Sequence, residues 1–106
     1  MLSRDLMFSS RVKAAAEQAG FVFQLGRELP PEQGDSIAYV ILDLATAGER
    51  LGEILDQCRQ GCPQARLIAY GPHVQAEKLE SARAAGITTV MTNGQFSSQL
   101  PGLFAS

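Results

Sequence analysis

The sequence predicts an α/β fold in which a parallel sheet is covered by helices on both faces. Helical and strand patterns alternate along the chain, an order typical of strand–helix–strand units. Residues 37–42 form a continuous apolar run rich in β-branched side chains, as expected for a strand buried on both faces. The chain has 106 residues, of which 45% are hydrophobic, so we expect a single domain over residues 1–106.

The N-terminal part predicts one helix and one short strand. Apolar residues recur at helical spacing over residues 6–19, after Asp5 as a helix N-cap and before Gly20 as a stop signal. A strand is predicted at residues 21–25. Two prolines and a glycine within residues 29–35 then predict a loop.

The central part predicts a strand, a helix and a second strand. The strand at residues 37–42 ends on Asp43. An apolar stripe indicates a helix between residues 49 and 60, and Gly61 ends it. That stripe consists of Leu51, Ile54, Leu55 and Cys58. The second strand is predicted at residues 65–70.

The C-terminal part predicts a helix, a strand and a broken helix. Apolar residues indicate a helix that runs to Ala85 and ends at Gly86. They are Val74, Leu79, Ala82 and Ala85. A strand is predicted at residues 88–92, and the tail at 96–104 predicts one helix that Pro101 interrupts.

Charge and hydropathy argue against several classes of function. The chain has 9 Lys+Arg and 11 Asp+Glu, a net charge of -2, with no run of like charge, so nothing attracts nucleic acid or an anionic membrane. Its apolar stretches are far shorter than the roughly 20 residues that span a bilayer. The N-terminus lacks the pattern of a secretory signal. We therefore expect a cytoplasmic protein with no nucleic-acid or membrane partner.

The cysteines and the histidine give no sign of a metal or redox site. Cys58 and Cys62 are not spaced like a thioredoxin-like or zinc-binding pair, and no second pair completes a tetrahedral site. We expect both thiols to be reduced. His73 has neither a nucleophile nor a metal-ligand set beside it, and no glycine-rich phosphate loop occurs. We thus expect no catalytic residue, no metal and no cofactor.

Polar residues and glycines follow the predicted strands, at the sheet edge where parallel sheets collect ligands. Asp43 ends one strand, Gly71 and His73 follow the next, and Thr92 and Asn93 end the last. A carboxylate at the end of a buried strand is costly unless it meets water, a cation or hydrogen-bond donors. Two roles therefore stay open for Asp43: a group inherited from a reactive site, or a cap for the following loop or helix.

Four segments carry a resemblance to the receiver domains of response regulators. Val40-Ile41-Leu42-Asp43, followed by Gly48, is similar to the strand that carries the receiver's phosphoacceptor aspartate. Residues 67–71 and 78–90 resemble the receiver's fourth strand, fourth helix, Ala-Gly turn and fifth strand. The resemblance covers almost the whole chain and implies a flavodoxin-like, doubly wound parallel sheet of order 2-1-3-4-5. Residues 5–12, with Arg11, resemble a receiver's first helix. The first strand is then very short or missing, because only Met1, Leu2 and Ser3 precede this helix motif.

The resemblance also implies a degenerate phosphoacceptor site. The receiver's acidic pair falls at Ser3 and Arg4, its hydroxyl residue at Gly71 and its lysine at Asn93, while Asp43 remains. In a working receiver these groups help to hold Mg²⁺ and the transferred phosphoryl group. We therefore do not expect ordinary phosphorylation of Asp43. Arg4 either lies over Asp43 in place of the metal or points into solvent.

The sequence thus predicts a non-catalytic interaction and signalling module. The resemblance implies a partner face at Tyr70, Thr92 and Phe96, and the partner protein is not identified by the sequence. A short or missing first strand leaves sheet edges that pair with another chain, which favours a homodimer. The alternative is an active, phospho-accepting receiver that uses Asp43. A third interpretation, a flavodoxin-like enzyme or ligand binder using His73 and Asp43, lacks a cofactor motif.

Overall fold

A three-stranded parallel sheet forms the centre of the structure. The computed structural model describes residues 1, 6–21, 23, 37–47, 50–61, 64–87 and 89–104. Within these residues the strands are β1 (Tyr39–Asp43), β2 (Arg66–Gly71) and β3 (Thr89–Thr92), in the order β1-β2-β3. In the register, Ile41 lies opposite Ile68 and Tyr70 lies opposite Met91. This arrangement confirms the predicted α/β fold.

Helices precede, connect and follow these strands. They are α1 (Leu6–Gln18), α2 (Leu44–Ala47), α3 (Leu51–Gly61), α4 (Ala76–Ala84) and α5 (Asn93–Gln99), with a 3₁₀ turn at Leu100–Gly102. Among the described residues, no helix is both long and apolar enough to cross a bilayer.

The two faces of the sheet bury separate apolar clusters because successive side chains of a strand point in opposite directions. Val40 and Leu42 face one cluster, and Ile41 between them faces the other. Helices α3 and α4 cover the first cluster through residues such as Ile54 and Leu79. The α1 and α5 side covers the second cluster; its helical and C-terminal members are Val12, Ala16, Phe96, Leu100 and Phe104. Helices therefore pack on both faces, as predicted.

Two glycines end helices in the way that the sequence predicts. Gly20 has a φ of 89° and Gly86 a φ of 101°, a left-handed conformation that glycine adopts without a steric penalty. After each glycine the chain bonds back to the helix: the Phe21 N–H donates to the Ala16 carbonyl at 2.9 Å. The Ile87 N–H likewise donates to the Ala82 carbonyl at 3.2 Å. Both ends therefore have the hydrogen bonding of a Schellman motif.

The segment before α4 differs from the sequence prediction. Val74 was expected on the buried stripe of this helix, but it is 79% exposed. The chain first makes a turn, in which the Gln75 N–H donates to the Pro72 carbonyl at 2.9 Å, and the helix begins only at Ala76. Val74 therefore lies before the helix and does not share a helical face with Leu79.

The C-terminal helix also begins earlier than predicted. Thr92 and Gln95 form a capping box that starts α5 at Asn93, before the predicted start at Phe96. The helix tightens into the 3₁₀ turn at Pro101, where the sequence predicted a break. The signal for the earlier start was present as a Thr followed three residues later by a Gln.

Several predicted N-terminal elements lie largely outside the described residues. Phe21 and Phe23 are not part of a strand, and the other residues of the strand predicted at 21–25 are outside the described part of the chain. The Asp5 cap, residues 2–4 before it and the predicted loop at 29–35 are also outside it. Their prediction stays untested.

Aromatic stacking joins the sheet to the C-terminal helix. The rings of Tyr70 and Phe96 are parallel within 2°, with centroids 4.2 Å apart, and both residues are buried. The ring of Phe8 in α1 contacts both edge-on, at 5.2 Å from Tyr70 and 5.7 Å from Phe96. Arg11 adds a polar link, because its guanidinium donates to the Ser97 hydroxyl at 2.7 Å. The position of α5 thus depends on this cluster of rings.

Replacing Phe96 with alanine tests this dependence. We expect Phe96→Ala to lower the free energy of unfolding by about 3–5 kcal/mol, because the ring is fully buried and its loss leaves a cavity. Chemical denaturation measures the change. Gln99→Ala, on the exposed side of the same helix, is the control and should change stability by less than about 0.5 kcal/mol. Equal effects of the two variants would show that the ring stack does not hold α5.

Candidate functional site

The carboxyl ends of the three strands bring the predicted site residues to one edge of the sheet. Asp43 lies opposite Tyr70, the residue before Gly71, and Gly71 lies opposite Thr92, the residue before Asn93. Parallel strands place these positions side by side, so Asp43, Gly71 and Asn93 share the edge where such sheets bind ligands. Ser3 and Arg4 lie outside the described residues, and the Arg4–Asp43 pair stays a prediction.

Asp43 caps a helix that the sequence did not predict. Its side chain is buried, with only 6% of the residue exposed, and Oδ1 accepts the backbone N–H of Ala45 at 3.0 Å. Because α2 starts at Leu44, this is the hydrogen bond of an N-cap to the second residue of the helix. The capping role that the sequence left open is therefore present in the structure.

Gly71 leaves room for Leu44, which sequence reasoning did not identify as a site residue. A Cβ added at Gly71 would lie 3.3 Å from the Leu44 Cβ and 3.6 Å from a methyl carbon of Leu79. Leu44 is 1% exposed. The resemblance assigns a hydroxyl side chain to position 71, and the structure instead has apolar atoms of α2 and α4 against the bare backbone. The only sequence signal for Leu44 is its place directly after Asp43.

Asn93 starts α5 and has an unusual hydrogen-bonding state. Its Oδ1 atom is buried and has no hydrogen-bond partner within the described part of the chain, and the same holds for Oε1 of Gln75 before α4. Most buried polar atoms in proteins are paired. Next to Asn93, the Thr92 hydroxyl accepts the Gln95 N–H at 3.2 Å, and the Gln95 side chain accepts the Thr92 N–H at 3.0 Å. Position 93 therefore offers a neutral amide where the resemblance implies a lysine.

His73 and the cysteines are not brought into this site by the structure. His73 lies exposed in the turn after β2. Cys58 is a buried residue of α3 and belongs to the first apolar cluster. Cys62 lies outside the described residues. The described part of the chain contains no group of three His, Cys, Asp or Glu side chains placed to hold a metal ion.

The Mg²⁺ ion that receivers use does not fit the described part of this edge. Mg²⁺ prefers oxygen ligands in octahedral geometry, and the described strand ends provide one carboxylate, Asp43, whose Oδ1 already accepts a backbone N–H. At the end of β2, the apolar Leu44 and not an oxygen ligand packs against Gly71. We therefore assign no role to a metal ion at these residues.

The predicted partner face needs a correction. Tyr70 is 1% exposed and Phe96 is 0% exposed, because they stack on each other beneath Phe8. These two side chains therefore belong to the core and do not form a surface. Thr92 is partly exposed, so any contact at this face has to involve Thr92 and exposed neighbours on α5, such as Gln95.

The contact between Leu44 and the Gly71 backbone can be tested by adding a Cβ. We expect Gly71→Ala to lower the free energy of unfolding by about 1–3 kcal/mol, because the Cβ overpacks the site, and Gly71→Thr to lower it further. Gly52→Ala in α3 is the matched control, since nothing lies within 4 Å of its Cβ position. It should raise stability by up to about 1 kcal/mol through higher helix propensity. Urea denaturation distinguishes the two, and stabilisation by Gly71→Ala would contradict the packing described here.

The capping role of Asp43 predicts a difference between two substitutions. Asp43→Ala removes the acceptor for the Ala45 N–H and should cost about 1–2 kcal/mol of stability, while Asp43→Asn keeps an amide oxygen that can cap. We expect Asp43→Asn to keep most of the stability that Asp43→Ala loses, as measured by thermal and urea unfolding. If the two variants unfold alike, a charge interaction of Asp43 and not its hydrogen bond to α2 is the main contribution.

Comparison with known proteins agrees with this architecture. No protein-family model matches the chain, and no curated protein matches it. Among solved structures, the chain is similar to a crystal structure of a response regulator from Thermotoga maritima, with a TM-score of 0.64 and 14% sequence identity. The match covers 95% of this chain and 93% of that chain. At this identity the similarity shows the fold alone, and it confirms the flavodoxin-like receiver fold that the sequence resemblance predicts.

Proposed function

We propose that this chain is a receiver-like interaction and signalling module that does not use Asp43 as an ordinary phosphoacceptor. The observation that carries the proposal is the approach of Leu44 to Gly71, with only 3.3 Å between the Leu44 Cβ and a Cβ placed on the glycine. A side chain at position 71 would place its Cβ in tight contact with Leu44, and α2 would have to give by a few tenths of an ångström. The carboxylate beside it serves that same helix as its cap.

Phosphoryl transfer to a carboxylate depends on electrostatic stabilisation more than on covalent chemistry by the protein. The charge on the transferred oxygens has to be met by a cation or by positioned donors. At this edge Gly71 offers no side chain and Asn93 no charge. Removal of one positioned donor typically slows such reactions by about 10²–10³-fold, and two positions are altered here. We infer that the chain is not an enzyme and signals through binding.

The composition of the C-terminal surface supports binding to a protein. No charged residue follows Arg83 in the sequence, although α5 exposes polar side chains, among them Gln95, Ser98 and Gln99. Charged residues are depleted in the cores of protein–protein interfaces. An uncharged surface also lacks the cations that nucleic acid requires. The partly exposed residues of β3 and the exposed residues of α5 therefore suit a protein partner, and a second copy of this chain is one such partner.

Treatment with a small phosphodonor tests the proposal. The protein is incubated with acetyl phosphate or beryllofluoride in the presence of Mg²⁺, and intact mass and thermal unfolding are measured, with an active receiver as the positive control. We expect no adduct and no Mg²⁺-dependent rise in melting temperature, because the charge of the bound group is not met at positions 71 and 93. Asp43→Asn is the matched variant. An adduct that forms on the parent chain and is lost in Asp43→Asn would establish the alternative, a phospho-accepting receiver.

A further inference from the structure

We propose that Asn93–Gly94 is a site of spontaneous deamidation, which places a carboxylate at the carboxyl edge of the sheet. Asn93 is the only asparagine in the chain, and a glycine follows it directly. It sits at the start of α5, at the same sheet edge as Asp43. The product would carry a negative side chain within residues 84–106, where no other side chain is charged.

The reaction needs no partner other than water. The backbone nitrogen of Gly94 attacks the side-chain carbon Cγ of Asn93, forming a C–N bond while the bond from Cγ to Nδ2 breaks. The Gly94 amide proton leaves with the amide nitrogen as ammonia, and a five-membered succinimide remains. Water then opens the ring at either carbonyl and leaves aspartate or isoaspartate at position 93. Loss of NH₃ and gain of H₂O raise the mass by about 1 Da, a covalent change that alters charge.

The geometry at Asn93 and Gly94 favours this attack once the turn opens. Gly94 is exposed, and among the described residues a Cβ at its position would meet only the Thr92 hydroxyl, at 4.0 Å, so other side chains do not enclose this residue. The Gly94 N–H lies in the first turn of α5, where backbone donors have no partner within the helix. Oδ1 of Asn93 has no hydrogen-bond partner among the described residues. Within the described part of the chain, the Asn93 amide is therefore not held in place by a hydrogen bond to its oxygen.

The capping box of α5 controls access to the reactive conformation. Ring closure requires Cγ of Asn93 to reach the Gly94 nitrogen, which a helical backbone at these two residues prevents. Thr92 and Gln95 hold that backbone through two reciprocal hydrogen bonds of 3.2 and 3.0 Å. The helix is only 7 residues long, and helices of this length depend on caps and packing. Opening of the first turn is therefore the step that sets the rate.

Deamidation should weaken the start of α5. One side-chain oxygen at position 93 is buried with no donor from the described residues, and a charged oxygen there has a higher desolvation cost than an amide oxygen. Isoaspartate also adds a methylene to the backbone and breaks the register of the turn. Both changes act next to Phe96, which joins α5 to the sheet through its stack on Tyr70. The modified protein is thus expected to melt at a lower temperature than the parent.

Ageing of the purified chain tests the proposal. The protein is incubated at mildly alkaline and mildly acidic pH and analysed by intact mass and tryptic mapping, in which residues 84–106 form one peptide after Arg83. We expect a gain of about 1 Da in that peptide, faster at alkaline pH because the attacking nitrogen must lose its proton. Gly94→Ala is the matched control: the space admits a Cβ, and the methyl group hinders ring closure. Absence of the mass gain, or equal rates in parent and Gly94→Ala, would overturn the site.

Two variants of the capping box test whether opening of the first turn of α5 limits the rate of deamidation. Thr92→Val removes the hydroxyl acceptor, and we expect roughly fivefold faster deamidation, in line with the stability of a helix cap. Gln95→Ala removes the other half of the box and should act in the same direction, which keeps the test valid if Thr92→Val does not fold. Unchanged rates in folded variants would show that the capping box does not limit the reaction. Phosphodonor treatment is a separate readout, so failure of this inference leaves the proposed function untouched.

Discussion

The carboxyl edge of the sheet depends on the close packing of Leu44 against the backbone of Gly71. This contact joins the first turn after β1 to the last residue of β2, and the absence of a side chain at residue 71 relieves what would be a tight contact with Leu44. Asp43 contributes from the other direction, since its cap on Ala45 fixes the helix that carries Leu44. The glycine, the leucine and the carboxylate therefore form one structural unit. In a buried, closely packed region such a unit resists the insertion of further atoms.

This unit gives the Asp43 carboxylate a structural role. A buried aspartate at the end of a parallel strand suggests chemistry, since desolvation of a charge is costly without partners. Here at least one oxygen has a structural partner in the backbone of α2. The same residue type at the same place in the fold can thus be kept for stability after its reactive neighbours have changed. A fold can retain the geometry of a site while its side chains no longer support the reaction.

Local patterns in the sequence predicted β1 and β2 well because most of their residues are buried, with side chains on both faces. The apolar run at 37–42 became β1 (Tyr39–Asp43), and the run at 65–70 became β2 (Arg66–Gly71). Helix α2 was missed because four residues are too few to show a period. Val74 was misassigned because the turn at Pro72 delays the helix. The contact of Leu44 with Gly71 joins residues far apart in sequence, and no local pattern encodes it. The burial of Tyr70 and Phe96 has the same cause, since it depends on Phe8 in α1.

The two ends of the site differ in how firmly they are held. At the β1 end, α2 is packed into the core through Leu44, which belongs to the same apolar cluster as Leu79 of α4. At the β3 end, α5 depends on a capping box that is exposed to solvent and on the ring of Phe96. Exposed hydrogen bonds at a helix end open at a lower free energy than packed core contacts. A modification or a binding partner at the surface is therefore expected to alter β3 and α5 more readily than the buried Asp43. No side chain of β3 or α5 is charged.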